Sequence, residues 1–255
     1  KKQRRDVMKT FSVLGSNILN VKKEDAVNAI EKIVDSRETK YVCFANVHTT
    51  VLGRTDQHFR DITNNAVMAL PDGMPLVWLG RLKKNKDLEK CSGPDVMDEI
   101  LKLSAERGYT NFFYGGTGEV LHSLHDHLKN RFPNLKIVGA FPPPFRALTQ
   151  AEDHEIIKMI NQVNPRIIWV GLGAPKQEVW MSEHVHQIKS SLLLGVGAAF
   201  NFHAQAVKRA PRWMQNIGLE WFYRLLQEPK KLWKRYLITN LLFLFYLISD
   251  NFIPK

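Results

Sequence analysis

A chain of 255 residues with 44% hydrophobic and 24% charged residues can bury a full core, which excludes wholesale disorder. Cys43 and Cys91 lack metal-type spacing and are too few for a disulfide framework, so a reducing compartment is expected. The net charge of +11 is concentrated: Lys208, Arg209, Arg212, Arg224, Lys230, Lys231, Lys234 and Arg235 face only Glu220 and Glu228 between Val207 and Tyr236, an excess that seeks phosphates.

The first residues, KKQRRDVMKTFSV, are basic without an apolar signal core, and no secretory signal is expected. YVCFANV (41–47) reads as a buried strand, followed by one helix over 50–64. AVMALPDG (66–73) is a short strand ending in a turn. A helix over 75–82, a basic loop (83–90) and an amphipathic helix over 94–107 come next. NFFYGG (111–116) is a strand entering a glycine turn, with a helix over 119–131. KIVGAF (136–141) is a strand broken by Pro142, Pro143 and Pro144. A helix over 151–163, the strand RIIWVGLG (166–173), a helix over 175–188 and the strand SLLLGVGAAF (191–200) complete the series. Such alternation predicts an α/β fold, a Rossmann-like, mainly parallel sheet with helices on both faces. After Val207 the pattern changes. Two helices are expected, at 217–227 and 229–248 with Pro229 opening the second, and then a loose end over 250–255. The division expected is an α/β catalytic domain over 1–206 and a basic, apolar helical appendage over 207–255.

In open α/β sheets ligands bind beyond the carboxyl ends of the strands. Those ends carry Asn46 and His48, the Pro71-Asp72-Gly73 turn, Gly115-Gly116-Thr117-Gly118, the run from Gly171 to Glu178, and Gly195-Val196-Gly197 with Asn201. Glycines there let backbone N–H groups approach phosphates. GGTGEV can equally be only a tight strand-to-helix turn, and it is not a dinucleotide fingerprint. Asp72 follows an apolar strand and precedes a helix. It can take a proton from an attacking hydroxyl, or it can simply cap the helix. His122, His125, His127, His184 and His186 lie on polar helix faces without recognised ligand spacing and read as solvated, so no metal site is expected. No G-x-S-x-G elbow and no P-loop signature occurs.

LPDGMPLVW (70–78), SGPDVM (92–97), the glycine pair at 115–116, GLGAPKQEVWM (171–181), GVGAAFNF (195–202) and RAPRWMQNIGLEWFYRLLQEPKKLWKRY (209–236) together resemble the TagA/WecG/CpsF family of bacterial glycosyltransferases. The resemblance implies an inverting transferase that moves a sugar from a UDP-sugar to a polyprenyl-diphosphate-linked sugar and needs neither metal nor further cofactor. It implies Asp72 as the base and places Asn46 and Gln177 near donor or acceptor. Three positions depart from the pattern: Phe44 where some members carry threonine, Lys90 where many carry arginine, and Asn201 where an aspartate contacting uracil is common. N-acetylmannosamine, its uronic acid and glucose all stay open as the sugar. Gly115, Gly116 and Gly171 join the expected substrate site. Arg224, Lys231, Lys234 and Arg235 are expected to fold over the pocket and neutralise the leaving diphosphate. A non-catalytic UDP-sugar-binding scaffold on the same fold is the alternative.

The uninterrupted apolar run 241–248 is well short of the roughly 20 residues a spanning helix needs. Preceded by Lys230, Lys231, Lys234 and Arg235, it has the composition of an interfacial helix on an anionic membrane, or of an apolar face covered by a core or a second copy. Peripheral attachment at the cytoplasmic face is expected. A nucleic-acid partner is not, because the basic residues are mixed with an apolar helix.

Overall fold

The structure, a computed structural model, describes residues 9–252. The basic start of the chain and the last part of the expected loose end, 253–255, therefore lie outside the described residues. Six strands form one parallel sheet: β3 (Lys40–Ala45), β4 (Met68–Pro71), β5 (Thr110–Gly115), β6 (Lys136–Phe141), β7 (Ile167–Gly171) and β8 (Leu192–Gly195), in the order β4-β3-β8-β7-β5-β6. Successive strand residues point to opposite faces. Val42 and Phe44 accordingly pack into one core while Tyr41 and Cys43 pack into another, and Phe113 and Phe112 divide the same way. That double burial is why the strands read as continuous apolar runs.

Helices cover both faces. Helix α1 (Lys23–Ser36) presents Ala26, Ile30 and Val34, spaced by four, to the first core. Helices α5 (Gly93–Arg107) and α6 (Gly118–Arg131) join it there, whereas α7 (Gln150–Val163) and α8 (Lys176–His184) cover the other face. An antiparallel hairpin, β1 (Thr10–Val13) and β2 (Ser16–Leu19), precedes the sheet. It turns through Leu14 and Gly15, both at positive φ. Its Phe11, Val13 and Ile18 underpin a third cluster with Leu76, Val77 and Phe243.

Several expected elements are divided or shortened. The single helix over 50–64 is two, α2 (Val47–Thr55) and α3 (Gln57–Asn65), because Asp56 ends one and caps the next by accepting from Phe59 N–H at 3.1 Å. The last strand stops at Gly195 rather than 200. The chain turns through Gly197, at φ 53°, and Ala199–His203 is a short helix, α9, whose Ala199 and Phe200 stay buried. The helix expected to reach 188 ends at His184. Among the described residues beyond Val207 there are three helices instead of two: α10 (Arg212–Asn216), α11 (Glu220–Gln227) and α12 (Pro229–Phe252), with Gly218 at φ 75° separating the first pair. Helix α12 continues past 248, so residues 250–252 are helical and not a loose end. It is docked on α2: Arg54 reaches Asp250 at 3.1 Å and lies over the Tyr246 ring, and Phe243 is buried. Among the described residues no helix is long and apolar enough to cross a membrane.

Candidate active site

The carboxyl ends of β3, β4, β5, β7 and β8 open into one cavity of about 1580 Å³ that α11 and α12 wall from the other side. Asp72 sits at its edge. The N-cap of helix α4 (Met74–Leu82) is Gly73, at φ 117° and with no side-chain cap bond, so the capping role considered for Asp72 is not the one it plays. Its backbone N–H donates to Ala45 O at 2.7 Å, which fixes the turn and leaves the carboxylate on the cavity wall. Burial pushes that carboxyl up to about 6, and the charge of Glu220 pushes the same way, against the opposing pull of Lys90 and a hydrogen bond with Asn46. A carboxylate of this kind ionises at neutral pH yet keeps appreciable basicity.

Asn46 caps α2, accepting from Thr49 N–H at 3.1 Å while its own N–H donates to Thr49 Oγ1 at 2.8 Å. The box orients its amide beside Asp72. Gln177, expected near a substrate, is committed to the protein: its Nε2 donates to Gly195 O at 2.6 Å and Glu178 Oε1 at 2.9 Å, and its Oε1 accepts from Gly173 N–H at 3.1 Å. It ties two strand-end loops together, so it shapes the cavity more than it offers free hydrogen-bonding atoms. Glu178 beside it is buried with Oε2 unpartnered, and burial raises its carboxyl to about 7.

Gly116, Gly171, Asn201 and Lys90 line the cavity, together with Phe44 and His48. Gly115 does not. It pairs with Gly171 across the sheet, and a Cβ there would lie 2.5 Å from the Gly171 carbonyl carbon, so the residue serves strand contact rather than ligand contact. Of the four arm cations, Arg224, Lys231 and Arg235 line the cavity. Lys234 lies outside it, exposed and over the Trp233 ring at 5.5 Å, and is removed from the site. Arg224 Nε is buried without a partner, a donor still to be satisfied. Burial, and then the charge of Arg235, lowers His48 to about 4, so it is a neutral wall between α2 and α12.

His184 is not solvated, contrary to expectation. Buried on α8, it pairs with Asp153 at 2.8 Å and Trp180 O at 2.7 Å and stacks on the Trp180 ring. A cluster that sequence reasoning missed joins the arm to the sheet. Arg209 donates to Asp95 Oδ1 and Oδ2 at 2.6 and 3.0 Å, to Ser92 at 3.1 Å and to Glu220 at 3.0 Å; Lys90 meets the same Glu220 at 3.3 Å. Burial alone would raise Asp95, but hydrogen bonds from Arg209 and Ser92 outweigh it and hold the carboxyl down at about 2. The available signal was the SGPD motif, whose Ser92 and Asp95 are both in the cluster, and the two lone acids of the basic stretch.

A strand-end crevice in which the basic carboxylate of Asp72 shares a cavity with a set of cations is the equipment of a group-transfer enzyme, and this one is a glycosyltransferase. The chain belongs to the glycosyl transferase WecG/TagA/CpsF family, whose sequence profile matches residues 11–255. It is 28% identical to the N-acetylglucosaminyldiphosphoundecaprenol N-acetyl-beta-D-mannosaminyltransferase of Bacillus subtilis (strain 168), over 90% of this chain and 88% of that one. The protein of the same description from Staphylococcus aureus (strain MW2) is 29% identical, over 88% of this chain and 85% of the other.

Proposed function

We propose that this glycosyltransferase moves an N-acetylmannosamine-type sugar from UDP to a polyprenyl-diphosphate-linked N-acetylglucosamine, with inversion, in the synthesis of a cell-surface polymer. The names of the relatives favour that sugar and acceptor over the uronic acid and glucose. In the step, an acceptor hydroxyl attacks the anomeric carbon from the face opposite UDP. The new carbon–oxygen bond forms as the bond to the diphosphate breaks, and the hydroxyl proton passes to Asp72. Arg224, Lys231 and Arg235 neutralise the charge that grows on UDP, so the scheme calls for no bound metal. The observation that carries this reading is the position of Asp72, uncommitted to any helix cap and sharing a cavity with those three cations.

The arm also supports attachment to an anionic leaflet, at the cytoplasmic face where UDP-sugars are made. Leu237, Ile238, Leu241, Leu244, Phe245 and Ile248 are exposed on α12, with Lys230 and Lys234 exposed near its start. A second copy covering the same stripe is the competing occupant. Incubating the protein with a mixed pool of UDP-sugars and N-acetylglucosaminyl-diphospho-undecaprenol, then weighing the lipid product by mass spectrometry, tests the reading. The expected product gains one N-acetylhexosamine. UDP binding with no product from any donor would favour the scaffold alternative instead.

A further inference from the structure

Glu220 opens α11 and is one of only two acids in a stretch dense with lysine and arginine. Its carboxylate turns inward to the cavity that Asp72 lines. One oxygen lies 3.3 Å from Lys90 Nζ and the other accepts from Arg209 Nε at 3.0 Å. Arg209 is itself anchored on Asp95 and Ser92, so the acid is fixed at both ends. The groups that face Asp72 are Glu220 from α11, Lys90 from the segment before α5, Asp95 from α5 and the Asn46 amide from the start of α2. Cys91, buried nearby as a neutral thiol, completes the set. Lys90 therefore has three carboxylates within its field, Asp72, Asp95 and Glu220, and its ion pair is with Glu220. An ammonium paired with Asp72 instead would hold that carboxylate as a poorly basic anion.

We propose that Glu220 is a positioning residue for sugar transfer: by engaging the Lys90 ammonium it leaves Asp72 unpaired, so the base is competent only while α11 is seated on the crevice. The proposal rests on the reading of Asp72 as base. It gives the arm a second task beside neutralising UDP, since the helix that brings Arg224 also brings the acid that keeps Lys90 occupied. Charge alternates across the site as a result, from Asp72 to Lys90 to Glu220 to Arg209 to Asp95.

The test follows the Asp72 carboxyl carbon by NMR titration in the full chain without ligand, beside transfer rates with UDP-N-acetylmannosamine and N-acetylglucosaminyl-diphospho-undecaprenol. Glu220→Gln is expected to move the titration down by about one pH unit and to lower kcat about tenfold, with KM for the UDP-sugar within about threefold. Lys90→Met is expected to move the same titration up, and Glu220→Asp to restore most of kcat. Opposite shifts are what a loosened arm cannot produce. An unmoved titration in both variants, or shifts of one sign, overturns the proposal. Full transfer by Asp72→Asn would instead sink the base assignment, which the two titrations do not touch, so the two failures are told apart.

Discussion

On the sheet side of the crevice, polar groups are held by backbone. Asn46 is fixed by its capping box, Gln177 by Gly173 and Gly195, and Asp72 by the N–H it gives to Ala45. On the arm side the polar groups are held by other side chains: Arg209 by Glu220, which also reaches across to Lys90, and Lys231 by Glu228 at 2.9 Å. Backbone clamps in a buried sheet edge are set before any ligand arrives. Ion pairs between partly exposed side chains are exchangeable and weaken with salt. The sheet thus supplies fixed geometry, and the arm supplies charge that a diphosphate can compete for.

The largest expected effect breaks the comparison at its fixed side. Asp72→Asn keeps the shape of the site and removes the proton acceptor, so kcat should fall about 10²–10⁴-fold in a transfer assay. Stability should move the other way. The folded value of this carboxyl, about 6, lies above its ordinary 3.8, so its contribution to stability is intact below that ordinary value and is lost as pH rises through about 6. At neutral pH the asparagine variant should therefore be more stable, on the order of 2 kcal/mol, as read by denaturant melts at several pH values.

Next comes the arm. Replacing Arg224 by Gln removes a cavity cation with an unsatisfied donor, and should cost about 10–100-fold in kcat, more at low salt than at high. Gln177→Ala sharpens the contrast from the sheet side. Two buried hydrogen bonds and a half-buried one are lost, and unfolding free energy should drop by about 2–3 kcal/mol, whereas variants of exposed arm residues such as Lys234 should leave it unchanged. The smallest effect belongs to the membrane face. Lys234→Gln should weaken binding to anionic vesicles by about 1 kcal/mol, roughly fivefold, in a sedimentation assay, and leave neutral vesicles unaffected.

The sheet was legible in the sequence because parallel strands buried on both faces leave unbroken apolar runs, as in 41–45 and 167–170. The hairpin was not, since each of its strands has only four residues, too few to establish a period of two. Asp56 went unread because one residue both stops α2 and starts α3, leaving helical periodicity almost unbroken across it. The last strand reads from sequence as if it reached 200, beyond its end at Gly195, because Val196, Ala199 and Phe200 stay buried after the backbone has turned. At the site, the strand-end residues Asn46, Asp72 and Gly116 could be placed from pattern alone. The pairing of Lys90 with Glu220 could not, because 130 positions separate them and nothing local marks the partner. Lys234 was grouped with Lys231 and Arg235 by sequence proximity, but Lys231 and Arg235, four apart, share the cavity-facing side of α12, whereas Lys234 precedes Arg235 by one position and so is turned away from it.

That a carboxylate at the edge of the sheet takes the acceptor proton is tested most directly by the single-turnover rate as a function of pH. With wild-type protein the rate should fall below about 6, where burial has placed the Asp72 titration, and level off above it. The residual rate of Asp72→Asn should show no such limb. A variant that keeps both the wild-type rate and its acid limb would mean that the proton goes elsewhere.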